Sequence, residues 1–236
     1  VEADESDGSF LKIPITYSVV SNIDKEHLDY YKNFNNLYKS FETFINKTPL
    51  IGKSFVCTDD KFLKKILRKK NKSNIITYGF ENGSDLHPYN VKNSGKMMFF
   101  NISVKLNNKV EHIKNIELNL LGKHNVLNAT AAIGVAKSLG IKNNTIKATL
   151  KNFLGVQRRL TKITNFRGSE IYDDYAHHPT EIISVLNAIK SGFKEKKIVT
   201  VFQPHRYSRV ASLKKEFANA FKDSDLVVLC PIYAAS

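Results

Sequence analysis

At 236 residues, with 42% hydrophobic and 25% charged side chains, the chain is long enough for one large or two modest domains with proper cores. No apolar run approaches the ~20 residues needed to cross a bilayer, and no secretory leader precedes Val1, so it reads as a cytoplasmic protein with no membrane partner. The net charge of +14 invites a nucleic-acid partner. However, only six of the 36 basic residues are arginine and the lysines are scattered over almost every segment. A stripe that follows phosphates would be concentrated and would interleave arginine forks with aromatics, so no nucleic-acid partner is expected. Oligomeric state has no signature here. Cys57 and Cys230 each sit in an apolar run and read as reduced core thiols.

In chain order, "VEADESDGSF" reads as a strand end entering an acidic loop, and "ITYSVVSNI" as a strand leading into the polar "NIDKEHLDYY". "FNNLYKSFETFI" places Phe34, Leu37, Tyr38, Phe41, Phe44 and Ile45 on one helical face. "SFVCT" is a strand, "KFLKKILRKK" an amphipathic helix with a solvated basic face, and "NIITYGF" another strand. This alternation is the pattern of a parallel sheet with crossover helices. From Asp85 to Leu121 three β-rich runs joined at Asn93-Ser94-Gly95 and Asn107-Asn108 predict an antiparallel excursion. Helices follow at "HNVLNATAAIGVAKSLG" and "NNTIKATLKNFLG", closed by Gly140 and Gly155. After "GVQRRL" the alternation restarts: strand "EIYDDY", helix "PTEIISVLNAIKSGF", strand "KKIVTVFQ", helix "SRVASLKKEFANAF", strand "DLVVLC". We therefore expect an α/β chain of two domains, residues 1–156 and 157–236, each continuing into sequence beyond these 236 residues.

Ligands of open parallel sheets bind beyond the carboxyl ends of strands, and the polar clusters lie there. Gly52-Lys53-Ser54 imitates a phosphate loop, but position 47 is lysine and a strand follows instead of a helix, so it reads as a turn. The acidic residues of "VEADESDGSF", together with Asp24, Glu26, His27 and Asp29, could share a magnesium-like centre, with helix capping by Asp24 as the rival. His124, Asn125 and Asn128 open a helix, and an asparagine amide offers the donor and acceptor that match an adenine edge. Capping accounts for one asparagine and leaves the other. Arg158 and Arg159 sit at the domain junction, placed to reach a phosphate, and His205 and Arg206 sit at a strand end suited to a carboxylate or phosphate. "DDYAHHPTE" itself is open to four readings: metal site, catalytic base, nucleotide contact or turn. Pro179 fits the first turn of a helix, and adjacent histidines without two further ligands argue against zinc.

Taken together, "VEADESDGSF", "SNIDKEHLDYY", "GKHNVLNATAA", "GVQRR", "DDYAHHPTE", "FQPHRYSR" and "IYAA" resemble, in this order and spacing, the Mur ligases of peptidoglycan synthesis. The resemblance covers essentially the whole chain. It implies part of a central parallel-sheet ATPase domain with an antiparallel excursion, followed by part of a Rossmann-like C-terminal domain. It also implies ATP and Mg2+ as cofactors, with UDP-N-acetylmuramate and L-alanine as small-molecule substrates joined through an acyl phosphate. A tripeptide-recycling ligase of the same family is the alternative. Glu2 and His27 resemble the family's magnesium ligands, Asn125 and Asn128, beside His124, its adenine contacts, and Arg158 the residue that reaches over the phosphates. Asp174 resembles the acid that holds the ribose, and His178, His205 and Arg206 belong to the acceptor side. The family's uridine-nucleotide domain and glycine-rich phosphate loop have no counterpart in these residues, so the 236 residues alone are expected to be inactive.

Overall fold

The computed structural model describes residues 1–68 and 73–234. Lys69 and Lys70 of the basic run and Ala235 of "IYAA" lie outside the described residues. The chain divides into two compact units, Val1–Val91 with Phe100–Ile116 and Leu127–Lys147, and Lys92–Phe99 with Glu117–Val126 and Ala148–Ser236. No helix among the described residues is long and apolar enough to cross a membrane.

A six-stranded sheet runs in sequence order through β1 (Tyr17–Val20), β2 (Lys53–Cys57), β3 (Ile75–Tyr78), β4 (Leu86–Ser94), β5 (Met97–Leu106) and β6 (Lys109–Leu118). Strands β1 to β4 pair in parallel, whereas β4, β5 and β6 are joined by two-residue turns, which only antiparallel neighbours allow. Asn107 and Asn108 both take positive φ (50° and 61°), the backbone of the hairpin turn whose twist matches the strands. The antiparallel excursion is therefore present as expected. Strand β5 alternates with period two, burying Met98, Phe100, Ile102 and Val104, while the central β2 is buried along nearly its whole length, as a parallel strand covered on both faces must be.

Helices α1 (Leu28–Tyr31), α2 (Phe34–Lys47), α3 (Lys61–Arg68), α4 (Lys123–Ser138) and α5 (Asn143–Asn152) complete the first two-thirds. Of the six apolar positions expected on one face of α2, Leu37, Phe44 and Ile45 are buried and the other three half-buried. Asn33 caps α2 by accepting from the Asn36 N–H, and Asp60 caps α3 by accepting from Phe62 and Leu63. The imitation phosphate loop is a turn ending in a strand. A Cβ on Gly52 would meet the Thr16 carbonyl oxygen at 1.7 Å, and Ser54 is fully buried, with its hydroxyl 2.8 Å from that of Ser18. Cys57 is buried, which pushes its thiol up to about 11, so it packs as a small apolar side chain.

The remaining third contains a hairpin, β7 (Thr161–Phe166) with β8 (Ser169–Asp173), then α6 (Pro179–Gly192), β9 (Val199–Phe202), α7 (Tyr207–Ser212), α8 (Lys214–Ala220) and β10 (Leu226–Leu229). Strands β9 and β10 pair in parallel. Their inner face packs Phe202 against Ile182 and Leu186 of α6 and against Leu213 and Phe217. Three expectations are corrected here. "EIYDDY" is a strand, but not one of the parallel alternation: it is half of an antiparallel hairpin with β7, turned at Arg167-Gly168, and is largely exposed. The single helix expected over 208–221 is two, broken at Leu213. The acidic N-terminal segment also forms no strand; it is irregular up to a short 3-10 turn, Ser9–Lys12.

Candidate active site

The acidic loop and the β1 exit meet within the first unit. His27 Nε2 lies 3.6 Å from Glu5 Oε1, and the Tyr31 hydroxyl donates to the Glu5 carbonyl at 2.5 Å. Burial and the neighbouring acids push that phenol up to about 12, so it stays a donor. Asp4 and Asp7 turn the loop by accepting from the Ser6 and Ser9 N–H groups, and the Ser9 hydrogen bonds hold Asp7 below its ordinary range. Asp24 accepts from Lys25 N–H, while the residue at the cap of α1 is His27, at φ 54°. Helix capping by Asp24 is thus not what the cluster does. Glu2 is exposed, and among the described residues no three His, Cys, Asp or Glu side chains form a metal cage. Of this pair the carboxylate is the group that suits magnesium, which prefers oxygen ligands, keeps several waters and takes one or two carboxylates plus phosphate oxygens.

At the start of α4, Asn125 Nδ2 donates to the Leu121 carbonyl at 2.7 Å, so one asparagine secures the helix entry. Asn128, one turn on, is exposed. His124 is held below its ordinary range, chiefly by burial, with Arg159 adding to the effect and Asp174 opposing it. An uncharged imidazole is what results near neutral pH.

The densest cluster belongs to the second unit. Asp174, just past β8, accepts from Leu160 N–H through Oδ2 and from Ala176 N–H through Oδ1, both at 2.7 Å. Tyr175 N–H donates to the Arg158 carbonyl. These bonds clamp the Arg158–Leu160 segment onto the strand end. The Arg158 guanidinium sits 4.6 Å above the Tyr175 ring and its Nε 3.6 Å from Asp173 Oδ2, while remaining 63% exposed. Arg159 Nη1 reaches Glu181 Oε1 at 3.4 Å.

The two histidines divide. His178 is 7% exposed and caps α6, its Nδ1 accepting from Thr180 N–H at 3.3 Å. His177 turns the other way: its ring packs edge-on against Tyr175 (5.1 Å) and His205 (6.3 Å). Glu181 completes the capping box, accepting from both histidine N–H groups at 2.9 and 3.1 Å. Burial raises its carboxyl, but those N–H bonds, the His177 ring and Arg159 outweigh it and hold it below the ordinary range. Beyond β9, His205 stacks on Tyr233 (5.6 Å), and the buried Arg209 places Nη1 3.2 Å from His205 Nδ1 and 3.1 Å from its carbonyl. Arg206 is exposed.

Arg158, Arg206 and His27 all occupy positive φ (59°, 66° and 54°). No glycine-like side chain explains this, and strain of this kind concentrates at functional sites. The structure thus brings Asp174, Arg158 and His205 into one cluster, to which it adds Tyr175, His177, Glu181 and Arg209. Of these, Glu181 was legible as the third residue of a capping box. Arg209 could be found only as an arginine one helical turn beyond His205.

Residues 2–136 match the Mur ligase middle domain and residues 158–235 the Mur ligase glutamate ligase domain. The chain is 50% identical over 236 residues to the UDP-N-acetylmuramate--L-alanine ligase of Pelagibacter ubique, covering all of this chain and 51% of that protein. It is 43% identical over 238 residues to that of Bartonella henselae, covering all of this chain and 50% of that protein. The chain therefore spans about half the length of the curated relatives it matches. The crystal structure of UDP-N-acetylmuramate-alanine ligase MurC from Thermotoga maritima superposes with a TM-score of 0.77 at 27% identity, over 98% of this chain and 49% of that one. A murein peptide ligase from Psychrobacter arcticus shares the fold at a TM-score of 0.59 and 20% identity, over 94% and 50%. Read with the acidic loop, the clamped arginine loop and the histidine cluster, these matches show that the chain belongs to the Mur ligase family.

Proposed function

We propose that the chain is the nucleotide- and acceptor-handling part of a cytoplasmic ligase that uses ATP to join L-alanine to the lactyl carboxylate of UDP-N-acetylmuramate in peptidoglycan synthesis. The observation that carries this reading is the cluster in which Asp174 clamps the Arg158–Leu160 loop beside His177, His205 and Arg209. Support also comes from relatives of that name at 43–50% identity. We place the boundary between the nucleotide and ligase domains at residues 156 and 157, with the clamped loop as the hinge.

In this reading Asn125 and Asn128, with neutral His124 beside them, present amide groups to the adenine edge. Asp174 retains lone pairs for the ribose hydroxyls after accepting its two backbone hydrogen bonds. Arg158, exposed and oriented by Tyr175 and Asp173, reaches the phosphates. Glu2 and His27, with Glu5 alongside, would hold magnesium, which when bound neutralises phosphate charge. His205 and Arg206 would face the acceptor and the muramate carboxyl, while His178 caps α6. The protein contributes positioning and charge neutralisation more than covalent chemistry. Closure of the ligase domain would exclude the water that hydrolyses an acyl phosphate.

The test uses the protein at its full natural length. Phosphate release from ATP is recorded with UDP-N-acetylmuramate and, in turn, L-alanine, glycine, L-serine or L-alanyl-D-glutamyl-diaminopimelate. Release that requires both the muramate and L-alanine supports the reading. Release with the tripeptide alone moves the protein to the recycling ligase, and no release with any acceptor sinks the proposal.

A further inference from the structure

Two acceptor oxygens bracket one nitrogen of the His177 ring. Nδ1 lies 2.9 Å from the Tyr175 carbonyl oxygen and 3.6 Å from Glu181 Oε2. A carbonyl and an ionised carboxylate can only accept, so in the neutral ring the hydrogen sits on Nδ1 and the basic lone pair on Nε2. Glu181 is itself fixed from three directions: by the His177 and His178 N–H groups, by Arg159 at 3.4 Å and by its place in the first turn of α6. His205 is set the opposite way. The guanidinium of Arg209 can only donate, so His205 Nδ1, 3.2 Å from it, carries the lone pair and Nε2 the hydrogen. Two facing imidazoles, 6.3 Å apart between centroids, are thereby held in opposite tautomers.

We infer that Glu181 is a positioning residue that holds His177 as its Nδ1–H tautomer, so that His177 Nε2 takes a proton from the incoming amine of the acceptor. The inference rests on the ligase reading above and names the group that activates the acceptor. An amino acid arrives as an ammonium ion and cannot attack until it loses a proton. The N–H bond breaks, its proton going to Nε2 and its electron pair remaining on nitrogen to attack the acyl carbon. The carbon–oxygen bond to phosphate then breaks with its pair leaving on the phosphate, which takes up the second nitrogen proton. A base oriented by a carboxylate behind it is the arrangement that general-base catalysis uses.

The experiment uses the full-length enzyme and separates the two half-reactions. Hydroxylamine, already uncharged at neutral pH, traps the acyl phosphate without a base, whereas L-alanine needs one. In His177→Gln, alanine-dependent product formation is expected to fall on the order of a hundredfold or more, with hydroxamate formation at the wild-type rate. Glu181→Gln keeps an acceptor for the capping box, and its alanine-dependent kcat is expected to fall about 10–100-fold with the KM for ATP unchanged. Nitrogen-15 spectra of the histidines, with the His177 signal assigned by its loss in His177→Gln, should show Nδ1–H in the wild type. Wild-type alanine turnover in Glu181→Gln, an Nε2–H signature for His177, or equal loss of hydroxamate and alanine product in His177→Gln would each overturn the inference. If wild-type enzyme yields no hydroxamate, the ligase reading itself has failed and the base role falls with it, while the tautomer spectrum still reports on Glu181.

Discussion

Asp174, proposed above for the ribose, has a structural task of its own. Its two oxygens satisfy two backbone N–H groups, that of Leu160 in the loop it clamps and that of Ala176 in its own turn. Asp174→Ala leaves both without that partner and should cost about 1–3 kcal/mol, seen as a lower urea midpoint at unchanged slope, together with a higher KM for ATP in the full-length protein. His124 adds a pH dependence whose sign follows from burial. Its folded-state value lies below the ordinary 6.5, so the unfolded chain takes up its proton first as pH falls. The stability this imidazole contributes is complete above about pH 6.5 and is lost as pH falls through the folded value. Chemical unfolding between pH 7 and pH 5 should show that decline, flattened in His124→Gln. Carboxylates act lower down. Glu170 is held to about 2, first by Lys162, then by the Tyr172 hydroxyl and Lys96, so its contribution is present above its unfolded value near 4.5 and disappears only as pH falls toward 2.

Among the elements, α4 and the β7–β8 hairpin give contrasting lessons. The Ala-rich pattern of α4 was plain in the sequence, and the packing it serves depends on Gly134. A Cβ there would stand 2.3 Å from Leu86 Cδ1 and 2.8 Å from Phe55 Cε1, both on fully buried side chains. Gly134→Ala would gain up to about 1 kcal/mol of helix propensity, but overpacking costs about 1–3 kcal/mol. The clash wins, and thermal unfolding should show a lower Tm. The hairpin was missed because "TKITNF" has only Ile163 and Phe166 apolar, three apart, so it shows no period of two, and it lies on no buried face; five of its six residues are exposed. Its signal was the turn chemistry of Arg167-Gly168, at φ 47° and 80°, and turn geometry is a weaker cue than an apolar period. The break at Leu213 was hidden for the opposite reason: both halves share the apolar spacing of one helix, and Leu213 itself is buried.

On the scale of the whole molecule, the pair β9–β10 is informative. One face packs into the core around Phe202. The other presents Val199 (59% exposed), Val201 (67%), Leu226 and Val228 in register. Parallel strands are ordinarily covered on both faces, so the 236-residue chain by itself should bind a hydrophobic dye such as ANS, and Val201→Thr with Val228→Thr should reduce that fluorescence without lowering Tm. The elements of the fold were largely readable because periodicity and turn residues act over a few neighbours: strands β1 to β3, helices α2 to α5, the antiparallel excursion and the strand-end polar clusters follow from local pattern. The family resemblance followed from the order of those clusters. Which of two adjacent histidines caps a helix and which turns toward His205, which nitrogen of each ring carries its hydrogen, and that Glu181 and Arg209 stand behind them depend on side chains brought together by the tertiary fold. Sequence spacing carries direction along the chain, whereas proton placement is decided by atoms a few ångströms apart that the fold alone makes neighbours.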